Sequence, residues 1–224
     1  MIKAVIFDMY ETLVTLHASP NYFGAQIAAD ANIPTDDFYK IWRDPEVDKK
    51  RTIGKLTLEQ TVEKILRANN RYSDALFSFI IEKRIRLGSD AFSHLHPDIL
   101  PMLTALKAHD IKIGLISNCY SEEAANIRQS VLFPYFDVPC LSYEEGLCKP
   151  DTALFERCLA RLGVAAAECL YVGDGGSHEL ETAKKLGMKA VQALWYLKDN
   201  VGQPCMRKSE FIGAKEPMEL LSML

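Results

Sequence analysis

The chain has 224 residues, of which 48% are apolar and 25% charged, and a net charge of −4. That length makes one large domain or two small ones, with enough apolar surface for a core that needs no staples. The acidic balance argues against a nucleic-acid binder, which normally carries a basic patch. Apolar runs such as Ala4-Val5-Ile6-Phe7 fall far short of the ~20 residues that cross a bilayer. The first run stops at Asp8, which excludes a signal peptide. Six cysteines (Cys119, Cys140, Cys148, Cys158, Cys169 and Cys205) form no CxxC pair. They read as free, mostly buried thiols of a cytoplasmic enzyme.

Residues 2–7 predict a buried strand that ends on Asp8. Residues 15–93 carry a helical period and few strand signals. Within them Thr57 and Gln60 form a capping box ahead of Val62, Ile65 and Leu66. Leu76, Phe77, Ile80, Ile81 and Ile85 make a helical core stripe, with Gly88 as its C-terminal stop. From residue 95 the pattern alternates. Pro97 sits in a first turn, and a helix runs to about His109. Strands follow at Ile111–Ile116 and Phe136–Leu141. Pro150 opens a helix with Leu154, Phe155, Cys158, Leu159 and Leu162 on one face, stopped by Gly163. Cys169–Val172 is a strand, Glu179–Leu186 a helix ended by Gly187, and Met188–Leu194 a strand. Phe211–Ile212 predicts an edge strand before a short C-terminal helix. There is no internal repeat and no low-complexity tract.

Alternating strands and helices imply right-handed βαβ units and a parallel sheet. The expected fold is α/β, a Rossmann-like three-layer core, with an inserted all-helical lid. The core would comprise 1–14 and 95–224, and the helical cap 15–94. Ligands of such sheets bind beyond the carboxyl ends of the strands. That rule gathers Asp8, Ser117-Asn118, the loop near Lys149 and Gly173-Asp174 at one edge.

These residue types suit one chemistry. A carboxylate at a strand end can act as a nucleophile. The Ser117 hydroxyl, the Asn118 backbone amide and the Lys149 ammonium could bind an anionic substrate. Lys149 would also neutralise Asp8 and keep it ionised. Asp174 and Glu179 add carboxylates, and clustered carboxylates suit a hard cation such as Mg²⁺. Each group has a plainer reading. Asp8 could simply end a strand, Ser117-Asn118 could be a turn, and Lys149 a solvated lysine. Asp174 could cap a helix, and Glu179 could only complement a helix N-terminus.

Phe7-Asp8-Met9-Tyr10-Glu11-Thr12-Leu13 resembles the first motif of the haloacid dehalogenase-like hydrolases. Leu115-Ile116-Ser117-Asn118, Lys149-Pro150 and Val172-Gly173-Asp174-Gly175-Gly176-Ser177-His178-Glu179 resemble the second, third and fourth, in order. The resemblance implies that Asp8 is the nucleophile and that Ser117, Asn118 and Lys149 bind the substrate's anionic group. It implies Mg²⁺ held by Asp8, the carbonyl of Tyr10 and Asp174, with Glu179 as a further ligand. The substrate would be a small phosphate ester, hydrolysed through an aspartyl-phosphate. The departure is Tyr10, where phosphatases of the family carry an aspartate as acid and base. Tyrosine there is the pattern of the 2-haloacid dehalogenases, whose leaving halide needs no proton. The Gly173-Asp174 segment is instead the metal-binding, phosphatase form, and a spare carboxylate beside Asp8 would be repulsive without a cation. The expectation is therefore a Mg²⁺-dependent phosphatase. The alternatives are a 2-haloacid dehalogenase and a degenerate binder of phosphorylated ligands.

Other residues weigh less. Glu11 reads as a turn residue and His178 as an exposed loop histidine. His94 and His96 read as a hinge feature, and Cys119 as packing. His17 could approach the site on closure of the lid. Arg43 and Lys49-Lys50-Arg51 read as a solvated face, from which one could reach an anionic substrate.

Overall fold

The computed structural model describes residues 1–18, 20, 22–197 and 206–224. Cys205 lies outside the described residues. Six strands form one parallel sheet: β1 Ala4–Phe7, β2 Lys112–Ser117, β3 Val138–Leu141, β4 Cys169–Gly173, β5 Lys189–Ala193 and β6 Ile212–Ala214. Their order is β3-β2-β1-β4-β5-β6, that of a doubly wound sheet whose crevice opens where the order reverses. β1 is central: Phe7 pairs with Leu115 of β2 on one side and with Val172 of β4 on the other. The three strands therefore end within two residues of one another, and the residues after them meet.

Side chains alternate across a strand, and β1 divides accordingly. Val5 and Phe7 join a cluster with Met102, Leu103, Leu106 and Ile127. These come from helices α6 (Ile99–Ala108) and α7 (Ser121–Gln129). Ala4 and Ile6 face Leu154, Phe155, Cys158, Leu180 and Ala183, from α9 (Thr152–Leu162) and α10 (Glu179–Lys185). α/β with helices on both faces is thus the architecture, and no helix among the described residues is long and apolar enough to cross a membrane.

Between β1 and α6, five helices stand among the described residues: α1 Gly24–Asp30, α2 Thr35–Trp42, α3 Pro45–Thr52, α4 Leu58–Ala68 and α5 Asp74–Asp90. They enclose a cluster of their own, including Ile27, Phe38, Leu58, Val62, Ile65 and Ile80. The Thr57/Gln60 capping box starts α4 as expected. α5 differs from its prediction. It runs through Gly88 to Asp90, and a Cβ on Gly88 would lie 2.8 Å from the Asn126 side-chain nitrogen. Gly88 thus permits close approach to α7 and is no helix stop. Of the α5 stripe Ile80 is fully buried, while Ile85 is exposed.

Boundaries shift at the prolines. α6 starts at Ile99, after Pro97. Lys149-Pro150 is a cis peptide, and α9 starts two residues later, capped by the Asp151 carboxylate, which accepts the Ala153 N–H at 3.0 Å. Two helices, α7 and the short α8 (Ser142–Glu145), have no counterpart in the sequence reading, and the C-terminal helix is a 3₁₀ segment, Pro217–Met223.

Candidate active site

Asp8 is held from three directions. Its N–H donates to the Val172 carbonyl at 2.8 Å. Its Oδ1 accepts the Met9 N–H at 2.7 Å and faces the Lys149 Nζ at 2.7 Å. Both side chains are almost wholly buried. Lys149 is positioned by its backbone: its N–H donates to Asn118 Oδ1 at 2.8 Å, and Asn118 Nδ2 donates to its carbonyl at 3.1 Å. The Asn118 side chain therefore spans from the end of β2 to the lysine loop.

Asp174 follows β4. Its Oδ1 accepts the Gly176 N–H at 3.0 Å, and its carbonyl accepts Gln192 Nε2 at 2.8 Å. Glu179, wholly buried, folds back under the same loop. Its Oε1 accepts the Gly175 N–H at 2.5 Å and its Oε2 the Ser177 N–H at 2.7 Å. A Cβ on Gly173 would lie 2.8 Å from that Oε1, so glycine here admits the carboxylate. His178 has φ of 54°, left-handed, where the loop turns into α10.

Asp8, Asp174 and Glu179 bring one carboxylate oxygen each to within 4.8 Å of one another. They set three negative charges against one ammonium. Burial raises Asp8 to about 6, with Lys149 pulling it down and Glu179 pushing it up. Burial, then Asp8 and Glu179, raise Asp174 to about 7. Lys149 and the Met9 N–H lower Asp8 but do not offset its burial. An all-oxygen donor set with excess buried negative charge fits a hard divalent cation.

A cavity of about 130 Å³ is lined by Asp8, Tyr10, Glu11, Asn118, Lys149 and Asp174, among others. At about 30 Å³ per water, that holds roughly four waters, the scale of a phosphoryl group. Burial pushes the Tyr10 phenol further above its usual value near 10, so it is a proton donor and no base at neutral pH. Glu11 has φ of 56°, and its carboxylate accepts the Thr15 hydroxyl at 2.7 Å and the Leu16 N–H at 2.9 Å. It closes the turn after Asp8. His17 stands 4.0 Å from it.

The structure thus brings Asp8, Tyr10, Asn118, Lys149, Asp174 and Glu179 together. Ser117 ends β2 fully buried. Its hydroxyl donates to the Asn118 carbonyl at 3.3 Å, and it does not line the cavity. His178 is exposed, and the buried Cys119 thiol is pushed up to about 12 by burial, which suits packing. His96 meets Glu216 at 3.2 Å and Asp98 lies nearby. The Asp98 N–H donates to His96 Nδ1, which leaves the proton on Nε2, so neither ring nitrogen is free for a metal.

One expectation is corrected. Lys49 and Lys50 are exposed, but Arg51 is 1% exposed. Its guanidinium sits between the Trp42 and Tyr120 rings, at 4.1 and 3.9 Å, and 3.8 Å from Glu122. Glu122 also pairs with Arg84 at 3.2 Å, and Arg84 with Glu123 at 3.0 Å. These buried charges join α3 and α5 to the start of α7. The sequence reading missed them; two adjacent acids opening a helix were the available signal.

Among curated relatives, a glyceraldehyde 3-phosphate phosphatase of Methanocaldococcus jannaschii is 28% identical over 202 residues, covering 87% of this chain and 86% of its own. A 2-haloacid dehalogenase of Pseudomonas syringae pv. Tomato superposes with a TM-score of 0.73 at 22% identity, covering 99% of this chain and 97% of its own. A Bacteroides thetaiotaomicron enzyme of the family, solved with magnesium and inorganic phosphate, superposes with a TM-score of 0.64 at 16% identity over 86% of this chain and 94% of its own. The haloacid dehalogenase-like hydrolase family matches residues 2–187. The chain belongs to that family and is a hydrolase.

Proposed function

We propose that the protein is a Mg²⁺-dependent phosphatase of small phosphorylated metabolites, with Asp8 as nucleophile. The observation that carries this reading is the Asp8–Lys149 contact at 2.7 Å inside a buried group of three carboxylates. A second carboxylate beside Asp8 would be repulsive without a cation, and metal-assisted phosphoryl transfer supplies one. The Jannaschii relative named a phosphatase supports the same choice.

Asp8 and Asp174, with the Tyr10 carbonyl, would hold the cation, and Glu179 would act mainly by shaping the Asp174 loop. Bound there, Mg²⁺ would screen the repulsion between Asp8 and the phosphoryl oxygens. The Met9 amide and Lys149 both act on Oδ1. They fix the carboxylate and leave Oδ2 to attack phosphorus. Lys149 and the Asn118 backbone amide orient the phosphoryl oxygens, and Ser117 supports that loop from behind. Water then cleaves the aspartyl-phosphate. Tyr10 stays protonated and can steady the leaving oxygen by a hydrogen bond, without the proton transfer an aspartate would give. Residues 15–94 act as a cap over residues 1–14 and 95–224, excluding water during the reaction.

The test is phosphate release from an activated aryl phosphate, with Mg²⁺ and with EDTA, beside Asp8→Asn. Release that needs Mg²⁺ and Asp8 is expected. Undiminished release by Asp8→Asn overturns the assignment. Tyr10 in the cavity wall favours a second reading, 2-haloacid dehalogenation, which predicts halide release from 2-halocarboxylates that survives EDTA.

A further inference from the structure

The hollow space does not end at Asp8. A second cavity of about 230 Å³ shares Asn118 with the first and is lined also by Asp48, Thr52, Tyr120 and Glu123. A third, about 460 Å³, shares Asp48 and Tyr120 with the second and adds Phe23, Tyr39, Trp42 and Arg43. Asn118 and Tyr120 are two residues apart, so their Cα atoms lie within about 7 Å. The three cavities are thus linked in series by shared wall residues, from α1–α3 to the segment that follows β2.

The wall chemistry changes along that line. The inner cavity has the carboxylates and the ammonium. The middle one is rich in acceptors: two carboxylates, two hydroxyls and the Asn118 amide. Asp48 Oδ1 already accepts the Tyr120 hydroxyl at 2.6 Å, and Glu123 accepts the Tyr120 N–H at 3.0 Å and pairs with Arg84. A carboxylate has about four acceptor sites, so both keep capacity for further donors. Such a wall takes hydroxyl groups. Beyond Asp48 and Tyr120, the outer cavity adds rings and one exposed cation. Trp42 is gripped by Phe38, ring centroids 5.3 Å apart, and by Arg51, so it offers an edge. Arg43 lies over the Tyr39 ring at 3.8 Å and forms a cationic shelf, a surface on which planar heterocycles stack.

A three-carbon phosphate ester would occupy only the inner part of this line. On the reading that Asp8 attacks phosphorus, we propose that the substrate is a nucleoside 5′-monophosphate. The phosphate sits against Lys149, the ribose hydroxyls on Asp48 and Glu123, and the base against Tyr39, Trp42 and Arg43. Asp8 Oδ2 bonds to phosphorus as the bond to the 5′ oxygen breaks, and that oxygen takes a proton from water. A second water then attacks phosphorus, giving inorganic phosphate and regenerating the Asp8 carboxylate. Arg43 and Tyr39 select the base and take no part in these steps.

Two measurements on the full chain test this. The first needs no turnover: tryptophan fluorescence of Asp8→Asn is titrated with nucleoside 5′-monophosphates, ribose 5-phosphate and glycerol 3-phosphate. Saturable quenching is expected, at least ten-fold tighter for the nucleotides, and weakened at least ten-fold by adding Arg43→Ala. Arg43 is exposed, so that change leaves the core alone. The second compares kcat/KM for the same compounds and an aryl phosphate. Nucleotides should exceed ribose 5-phosphate by ten-fold or more. Arg43→Ala should lose at least ten-fold more on nucleotides than on the aryl ester, through KM. Equal binding and equal kcat/KM for ribose 5-phosphate or the three-carbon ester overturn the inference and leave the phosphatase reading standing. Tight nucleotide binding without phosphate release from any ester upholds the site and overturns the phosphatase reading.

Discussion

The two raised carboxyls make stability depend on pH in an unusual direction. An acid whose folded pKa lies above its unfolded value stabilises the fold only while protonated. That stabilisation is complete below about 3.8 and is lost as pH rises through about 6 for Asp8 and about 7 for Asp174. Between pH 5 and pH 8 the loss is about 1 kcal/mol for Asp8 and about 3 kcal/mol for Asp174, at 1.36 kcal/mol per pH unit. The two repel each other, so about 3–4 kcal/mol in all is the working figure. At ~2–4 °C per kcal/mol for a chain of this size, the melting temperature in EDTA should fall by about 6–16 °C. Acids held low by ion pairs, such as Glu145 with Arg161 and Arg157, lose their contribution at lower pH and leave this window clear. Adding Mg²⁺ should restore most of the loss at pH 8 and little at pH 5, where protons compete for the same oxygens. Scanning calorimetry in non-chelating buffers, with Asp174→Asn alongside, measures this. A metal-free melting temperature that is flat or rises from pH 5 to 8 refutes the electrostatic account of the site.

Three further outcomes are expected. Tyr10→Asp should raise turnover of alkyl phosphates by about 10²-fold, the low end of acid–base catalysis, and barely change aryl phosphates; equal effects on both would refute the role given to Tyr10. Gly173→Ala should push Glu179 off its two amides, cost about 1–3 kcal/mol in urea unfolding and weaken Mg²⁺ binding by calorimetry. Unchanged metal affinity would show that Glu179 does not shape the Asp174 loop. Glu122→Ala strands the buried Arg51 and Arg84 and should cost about 3–5 kcal/mol in the same unfolding assay; a loss under 1 kcal/mol would mean those charges are solvated.

What the sequence revealed follows from what each residue depends on. β1 is legible because an apolar run with a carboxylate at its end is a local pattern, and Asp8 sits where that pattern puts it. The meeting of Asp8, Asn118, Lys149 and Asp174 is legible because sheet topology, a global rule, brings strand ends together. Glu179 was half legible: its type and spacing place it at the site, but only the fold shows both its oxygens occupied by the Gly175 and Ser177 amides. Arg51 was not legible. In sequence it closes a run of three basic residues, and nothing local distinguishes it from its exposed neighbours. The Trp42 and Tyr120 rings that bury it come from other elements. Gly88 misled for the same reason. Its cause is the side chain of Asn126 on another helix, so reading it as a helix stop used a local rule for a tertiary contact.

The central place of β1, β2 and β4 in the sheet bears on how the molecule breathes. Amide exchange proceeds through partial openings, and those begin where a strand has a neighbour on one side only. β3 and β6 occupy the two edges of the sheet, while each strand that carries Asp8, Asn118 or Asp174 is paired on both sides. Either border can fray and re-form while the three central ladders stay shut. Asp8, Asn118 and Asp174 thus follow directly on strands paired on both sides, whose amides should exchange more slowly than those of β3 and β6.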